Sequence, residues 1–595
     1  MSEFKQTSFS GGLNLLLDDT RLPVSLKYKE GDSPYDITYN QYRIGRNIRT
    51  RFDVCTPVKA PAEDKFAPAG LKQAILTFGN FVILFVAGKG YWRYKTQISW
   101  TQIVGFSMSA TAPRYWTVVV PLYTTNYVRF AIPTDTGKPA DAAAGIKKQE
   151  AGNVAGTLGN VSGLLVQDGI NQPQFIYLDS NNVVQCRTTQ TYSQWDFTLD
   201  GGGTVLVTDN REYVPVGTFM EWFNGILFIV APDSTQIYRS VSGRPLDFVV
   251  NVAPNGTKGG DASTVAYSVG VSGITAIRAM PGNSLLVAAG GSACFSVTLN
   301  QTPNAPTLFG EYTFNRALLF NSNCITERGI IDISGPLSQG GSAGDSVFID
   351  ANGLRSFNAI EYLQNEGRNS VFSSVIQSLF NGVVQQNNLC AAINFDNYAI
   401  FSVNTVMGYV LVIYDTITGN YTAIDSDQIG NNAVKQFAAI QIDSLNLYAI
   451  TSDDRVIQVF GSTEALQGII RLGAVCTQDP KKEIKVTNVR AIFTNITQDF
   501  SITCSIFTNN RLDGEITTKI ACPPYTDGYT GESIGSDVGT QTNSIVFPFP
   551  NASQGWKCFP VITWTGGASL ASVSISTQDA TPMQPPMTQG VVQQT

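Results

Sequence analysis

Histidine is absent from all 595 residues of the chain. That removes Ser-His-Asp and Cys-His activation of a nucleophile, histidine-ligated zinc and iron, and the commonest general base near neutral pH. Carboxylate pairs, lysine and tyrosine are the catalytic groups left. Charge is also scarce: Asp, Glu, Lys and Arg make up 14 % of the sequence, against about 25 % in an ordinary globular protein. The net charge of −7 argues against a surface that wraps nucleic acid, because phosphate binding needs clustered Lys and Arg. Long apolar runs are missing too. Runs such as Gly225 to Ala231 are far shorter than the roughly 20 residues of a membrane helix. Residues 1–20 mix Ser, Asp, Lys and Gly with the apolar residues, so no signal-peptide core is expected there.

The nine cysteines (Cys55, Cys186, Cys294, Cys324, Cys390, Cys476, Cys504, Cys522 and Cys558) form no CxxC pair and are odd in number. That spacing suits neither structural zinc nor a redox motif. It points to buried small hydrophobes in a protein made in a reducing cytoplasm.

Core material is plentiful, with 43 % of residues drawn from AVILMFWYC, and 54 glycines mark many tight turns. Phe, Tyr, Val, Ile and Thr fill the stretches between those turns, which is a β composition. From about residue 70 the chain falls into a loose repeat of apolar strand, short turn, second apolar strand, and a third strand carrying aromatics. The first unit spans residues 74–103, with Gly79-Asn80 and Gly88-Lys89-Gly90 as its turns. Others lie at 163–195, 218–250, 274–299, 344–358, 391–425 and 437–461. Each reads as a three- or four-stranded antiparallel meander. Successive meanders with drifting spacing and no shared signature predict an all-β fold, a degenerate β-propeller of six or seven blades.

Four domain assignments follow. Residues 1–65 form an N-terminal platform segment, and 66–465 the propeller. Residues 466–580 are a C-terminal β-sandwich, and the Pro- and Gln-rich 581–595 a mobile tail. Two interruptions are expected in the propeller. Residues 107–160 read as an insertion or extended loop. Residues 359–382 read as helical, with Ile360, Leu363, Val371, Val375 and Leu379 able to share a face.

No motif carries catalysis, cofactor binding or metal binding, so none is predicted. Asp453-Asp454 and Asp425/Asp427 are close carboxylates in loops between strands, where Asp serves turns. GTKGGDAST (256–264) and GKGYW (88–92) are Gly-rich but lack the spacing of a phosphate loop. One cluster stands out: Arg43, Arg46, Arg49 and Arg51 fall within nine residues of a charge-poor chain. They suit contact with a partner's acidic face or with DNA. They equally suit a solvated or internally salt-bridged strand.

The order of features adds to this reading. A Gly11-Gly12-Leu13-Asn14 segment is followed by DDTRLPVSLKYKEGDSPYDITYNQYRIGRNIRTRFDVCTPV. Then come a degenerate propeller with the phrase IYRSVSGRPLDF, a helical insert and a terminal sandwich. In this order the chain resembles the tail nozzle proteins (tail tubular protein B) of short-tailed bacteriophages, and the related stabilisation proteins that close the packaged head. The Arg-Pro-Gly that usually ends the N-terminal stretch in such proteins is here Arg51-Phe52, with Thr56-Pro57 later. The resemblance implies a non-enzymatic virion protein, synthesised in the host cytoplasm. It implies a homo-hexamer on the ring of adaptor or tail tubular A proteins, neighbouring the tail fibres, whose lumen passes double-stranded DNA without reading its sequence. A head-closure plug shares this plan. A receptor-binding, sugar-binding or sugar-cleaving propeller is the competing class, for which 23 Tyr and seven Trp could supply stacking platforms.

Overall fold

The structure is a computed structural model of the full chain. With short interruptions it describes residues 2–15, 41–122, 161–188, 214–248, 273–300, 324–333, 345–357, 372–521 and 543–580. It also describes strands at 128–130, 147–150, 194–198, 204–208, 263–266 and 311–315.

Alternation of apolar side chains along the strands decides how the repeats pack. In Phe81–Val86, Phe81, Ile83 and Phe85 point to one side and Val82, Leu84 and Val86 to the other, and all six are buried. A strand buried on both faces belongs to a sheet sandwiched between two others. The first set packs on Leu164, Val166 and Ile176 of the next sheet, and the second on Ala438, Ile440 and Ile450 of the last. Leu165, Phe175 and Tyr177 pass the pattern on to Met220, Leu227 and Ile229.

Seven small antiparallel sheets among the described residues stack in this way, as the blades of a β-propeller. Blade one holds strands at Lys72–Phe78, Phe81–Val86, Lys89–Tyr94 and Thr101–Gln102. Blades two to six start from the strands Trp116–Leu122, Met220–Phe223, Ile274–Met280, Ile330–Ile333 and Ala391–Phe395. Blade seven holds Val434–Gln441, Leu445–Thr451 and Val456–Val459, and its fourth strand, Ala62–Glu63, comes from far upstream. That strand closes the ring, and Asp64 beside it is ion-paired with Arg93 of blade one at 2.9 Å.

Around the axis the first strands of blades two, three and four lie side by side, and so do those of blades five, six, seven and one. Between blades one and two the link is the Tyr115 N–H donating to the Gln73 carbonyl at 3.2 Å. Ala87 and Gly88, at φ 46° and 84°, turn blade one's second strand into its third. The tight turn is therefore one residue earlier than Gly88-Lys89-Gly90. Gly88 is obligatory, since a Cβ there would meet the Met108 carbonyl at 2.7 Å.

Strands at 2–57 and 468–580 form the platform, a two-layer sandwich. In one layer Ser569–Ala580 pairs with Glu483–Thr494 and with Ser2–Gln6, and the strands Ile48–Arg51, Val54–Pro57 and Asn543–Pro548 complete it. In the other, Gln41–Arg46 pairs with Gly468–Leu472 and, in parallel, with Gly12–Leu13, beside Lys557–Trp564, Phe500–Thr508 and Arg511–Ala521. Every second residue from Phe500 to Thr508 is buried. Phe493 of one layer meets Phe500 and Trp564 of the other at ring separations of 5.1 and 6.0 Å. The N-terminal strands are thus integral to the sandwich that sequence places at 466–580.

Two expectations change. Trp116–Leu122, inside the expected 107–160 insertion, is blade two's first strand, and Met108, Ala112 and Tyr115 before it are buried under blades one and two. The strands Val128–Phe130 and Lys147–Glu150 from that span pair into a separate sheet with Gln194–Thr198 and Thr204–Thr208. Of 359–382, residues 359–371 lie outside the described residues, and the described part holds a 3-10 helix, Ser374–Phe380, with Ile376, Leu379 and Phe380 buried. β-Branched Val375 and Ile376 and the Asn381-Gly382 stop, with Gly382 at φ 72°, favour a short turn over a longer α-helix. The tail, 581–595, lies outside the described residues.

Candidate functional site

Two places concentrate polar chemistry: the seam between platform and propeller, and a cavity at the propeller axis.

At the seam the arginine run meets the end of blade six. Asn47 is in the left-handed region at φ 57°, which turns the strand from Gln41–Arg46 in one platform layer to Ile48–Arg51 in the other. The same residue donates its backbone N–H to Asp425 Oδ1 at 2.6 Å and its amide to Asp427 Oδ2 at 2.6 Å. Arg49 pairs with the fully buried Asp425 at 3.0 Å and stacks over the ring of Phe460. Arg46 pairs with Asp427, and Arg51 pairs with Asp396 at 3.1 Å while lying over Tyr398 at 4.0 Å. Arg43 sits on the same strand as Arg46. Tyr42 donates to the Thr422 carbonyl at 2.6 Å, and a Cβ on Gly45 would strike that carbonyl. Arg46, Arg49 and Arg51 are therefore engaged within the chain, joining platform to propeller.

Burial, the largest influence, raises the Asp425 carboxyl above its ordinary pKa despite Arg49 and the Asn47 N–H. Asp427 goes the other way. Although burial opposes its ionisation, hydrogen bonds from Asn47 and Arg46 hold its carboxyl below the usual range. Asp453 and Asp454 serve blade seven: Asp453 pairs with Arg455 at 2.6 Å, and Asp454 accepts from Lys435 Nζ at 2.6 Å and the Lys72 N–H at 3.0 Å. Gly256 to Gly260 lie outside the described residues.

The axial cavity has a volume of about 370 Å³ and is lined from five blades, with Trp116, Arg278, Glu327, Arg328, Asp332 and Gln436 among its polar groups. Arg328 stands in a 3-10 turn before blade five and reaches across the ring. Its guanidinium donates to the carbonyls of Tyr115 at 2.8 Å, Lys435 at 3.1 Å and Gln73 at 3.2 Å, from blades two, seven and one. Burial, and next the neighbouring Arg114, lower its pKa to about 9, against the pull of Glu327. Arg114 is paired with Glu327 at 2.6 Å. Nothing in the composition marks these arginines out, because the ring brings together residues more than 200 positions apart.

Among the described residues no group of three His, Cys, Asp or Glu side chains could hold a metal ion, and no helix is long and apolar enough to cross a membrane. The thiols of Cys55, Cys324, Cys390, Cys504 and Cys558 are fully buried, and that of Cys186 is half-buried. Burial raises the thiol pKa of Cys186 and Cys390 to about 12.

No family model and no curated protein matches the chain. Among solved structures it is similar to a catalytically inactive virginiamycin B lyase from Staphylococcus aureus, with 9 % identity over 67 % of this chain and 97 % of that one, at a TM-score of 0.26. It is also similar to the extracellular domain of a putative hybrid two-component system from B. thetaiotaomicron, with 10 % identity over 89 % of this chain and 92 % of that one, at a TM-score of 0.18.

Proposed function

We propose that the chain is a non-catalytic structural subunit of the tail nozzle of a short-tailed bacteriophage. Six copies form a tube that closes the tail and conducts the genome during ejection. Its partners are further copies of itself, the adaptor or tail tubular A ring, the tail fibres and the passing DNA. The observation that carries the reading is the way the chain is braced. Strands from 2–57 and from 468–580 are woven into one platform, and three successive arginine pairs fix that platform to blade six. Such a body transmits load between a ring above and a wall below.

The propeller axis is crossed by Arg328 and its three carbonyl partners. DNA in this reading passes between subunits, with each propeller as one stave of the wall. Duplex DNA carries about one phosphate charge per 1.7 Å of axis, so a wall with many free cations would hold it back. Committing arginines to internal carboxylates avoids that.

The test is negative-stain imaging with mass photometry of the purified protein, alone and mixed with the adaptor ring. Sixfold rings, or a sixfold cap on the adaptor, are expected. A monodisperse monomer that ignores the ring would overturn the reading and make a sugar-cleavage screen the next step.

A further inference from the structure

The first strands of four successive blades, Ile274–Met280, Ile330–Ile333, Ala391–Phe395 and Val434–Gln441, each bring one polar side chain to the axial cavity: Arg278, Asp332, Asn394 and Gln436. Bonding within the protein uses only part of each. The Asn394 amide donates to the Asp332 carbonyl, which leaves Asn394 Oδ1 open. Gln436 accepts the Ile75 N–H on Oε1 at 3.1 Å, which leaves Nε2 open. Asp332 takes the Ser346 hydroxyl on Oδ1 at 2.8 Å, and Glu327 takes Arg114 at 2.6 Å and the Thr326 hydroxyl at 3.2 Å on Oε2. The second oxygen of each carboxylate stays available. Arg278 adds a guanidinium with five N–H donors, and it is half-buried, as Glu327, Asp332 and Gln436 are, whereas Asn394 is exposed. The cavity thus communicates with solvent.

The open groups are therefore of both kinds: donors on Arg278 and Gln436, acceptors on Glu327, Asp332 and Asn394. Charge is matched as well. Arg278 and Arg328 face Glu327 and Asp332 across the same space, so an ion of either sign would meet a like charge there. A hydroxyl donates and accepts at once, and a ligand carrying several of them can satisfy both sets without bringing a charge. Ile330, Ile393 and Phe437 also line the cavity, which gives C–H surface something apolar to pack on.

The geometry points to a binding site for one neutral pyranose residue, whose hydroxyls bond to Arg278, Glu327, Asp332, Asn394 and Gln436. The residue is either a free monosaccharide or the terminal unit of a glycan, since the two present the same hydroxylated ring. The volume of about 370 Å³ lies at the lower end of the roughly 300–1,000 Å³ of small-molecule sites, which suits a single sugar ring and not a chain of several. Arg328, held by its three carbonyls, is a fixed part of the wall. The site binds and does not cleave. It stands apart from the nozzle reading, because it lies within one propeller.

The experiment has two arms on the full chain. In one, glucose, galactose and N-acetylglucosamine are titrated calorimetrically, with N-acetylneuraminic acid as the charged comparison; in the other, the chain is applied to immobilised neutral glycans that end in the same three sugars. Saturable binding of one sugar per chain, at about 1 mM or tighter, is expected for at least one neutral sugar and not for the acidic one. Binding in the first arm as well as the second marks a free sugar as sufficient, and binding in the second alone marks a glycan end. Asp332→Asn keeps an oxygen for Ser346 and loses the second acceptor, and is expected to weaken binding at least about tenfold. Gln436→Glu keeps the acceptor for the Ile75 N–H and loses the donor, and is expected to weaken binding several-fold. If Asp332→Asn does not fold, Gln436→Glu decides the matter. No saturable binding in either arm, preference for the acidic sugar, or undiminished binding by the folded variants would overturn the proposal, whatever the oligomeric state.

Discussion

The seam between blades one and two and the seam between blade six and the platform solve the same problem with opposite chemistry. The first is apolar: Phe81, Ile83 and Phe85 interlock with Leu164, Val166 and Ile176, and Phe85 lies 4.9 Å from the Phe106 ring and 5.5 Å from the Tyr115 ring. The second is threaded by Arg46, Arg49 and Arg51 facing Asp427, Asp425 and Asp396. Apolar contact is non-directional and contributes most of the stabilisation, but it tolerates sliding. Charged pairs with fixed geometry contribute little net stability when buried, yet each demands one arrangement. The propeller is thus held together by area, and the platform is held in position by direction.

The largest effect should follow from breaking the apolar seam. Phe85→Ala is expected to cost about 4 kcal/mol, read by chemical denaturation, whereas a cost within about 1 kcal/mol would mean that this seam is loosely packed.

Next is the ionic seam. Arg49→Ala strands the fully buried Asp425 and is expected to cost about 3 kcal/mol. The pair Arg49→Met with Asp425→Leu should recover most of that, within about 1 kcal/mol of the wild type. Equal losses in the single and the paired variants would show that the seam serves stability and not placement.

A smaller and pH-dependent effect is expected at Asp168, which joins the loop before blade two to the turn after that blade's second strand. Its carboxylate accepts from the N–H groups of Ser109, Ile170 and Asn171 and from the Asn171 amide. Burial works against its ionisation, but these hydrogen bonds prevail and lower its pKa. The folded state therefore binds this proton less tightly than the unfolded state. Its stabilisation is present above the unfolded value of about 3.9 and is lost as pH falls through the folded one. Asp168→Asn should cost about 1–2 kcal/mol at pH 7, with the gap to wild type narrowing in acid. Asp425 has the opposite sign. Its raised pKa makes the folded state hold the proton more tightly, so its contribution weakens as pH rises from the unfolded value through the folded one.

Period-two alternation made the blades legible. Six of the seven spans picked from sequence keep their described strands within one blade, because strands buried on both faces and bounded by Gly and Asn turns leave a local signal, whereas 163–195 runs past blade two into Gln194–Thr198 of the separate sheet. What stayed hidden is long-range. Ala62–Glu63 completes a sheet with partners almost 400 residues away, and Ser2–Gln6 pairs with residues 573–577. Two-residue and five-residue strands carry no periodicity that could name such partners. Trp116–Leu122 was obscured because Pro121 and the low-complexity stretch after it look like loop. Of the candidate sites, the arginine run was visible as a charge cluster, and one of its two sequence readings, an internally salt-bridged strand, describes Arg46, Arg49 and Arg51. The axial cavity was not visible, since Trp116, Arg278 and Arg328 meet only once the ring has closed.

The most direct test of the central claim, that platform and propeller act as one braced body, is native-state hydrogen exchange resolved by peptide. The account predicts that amides of 41–51 and 468–472 open with the same free energy as those of 398–425 in blade six, and that Arg49→Ala lowers both together. Opening of the platform strands at a clearly lower free energy, with blade six unaffected, would contradict it.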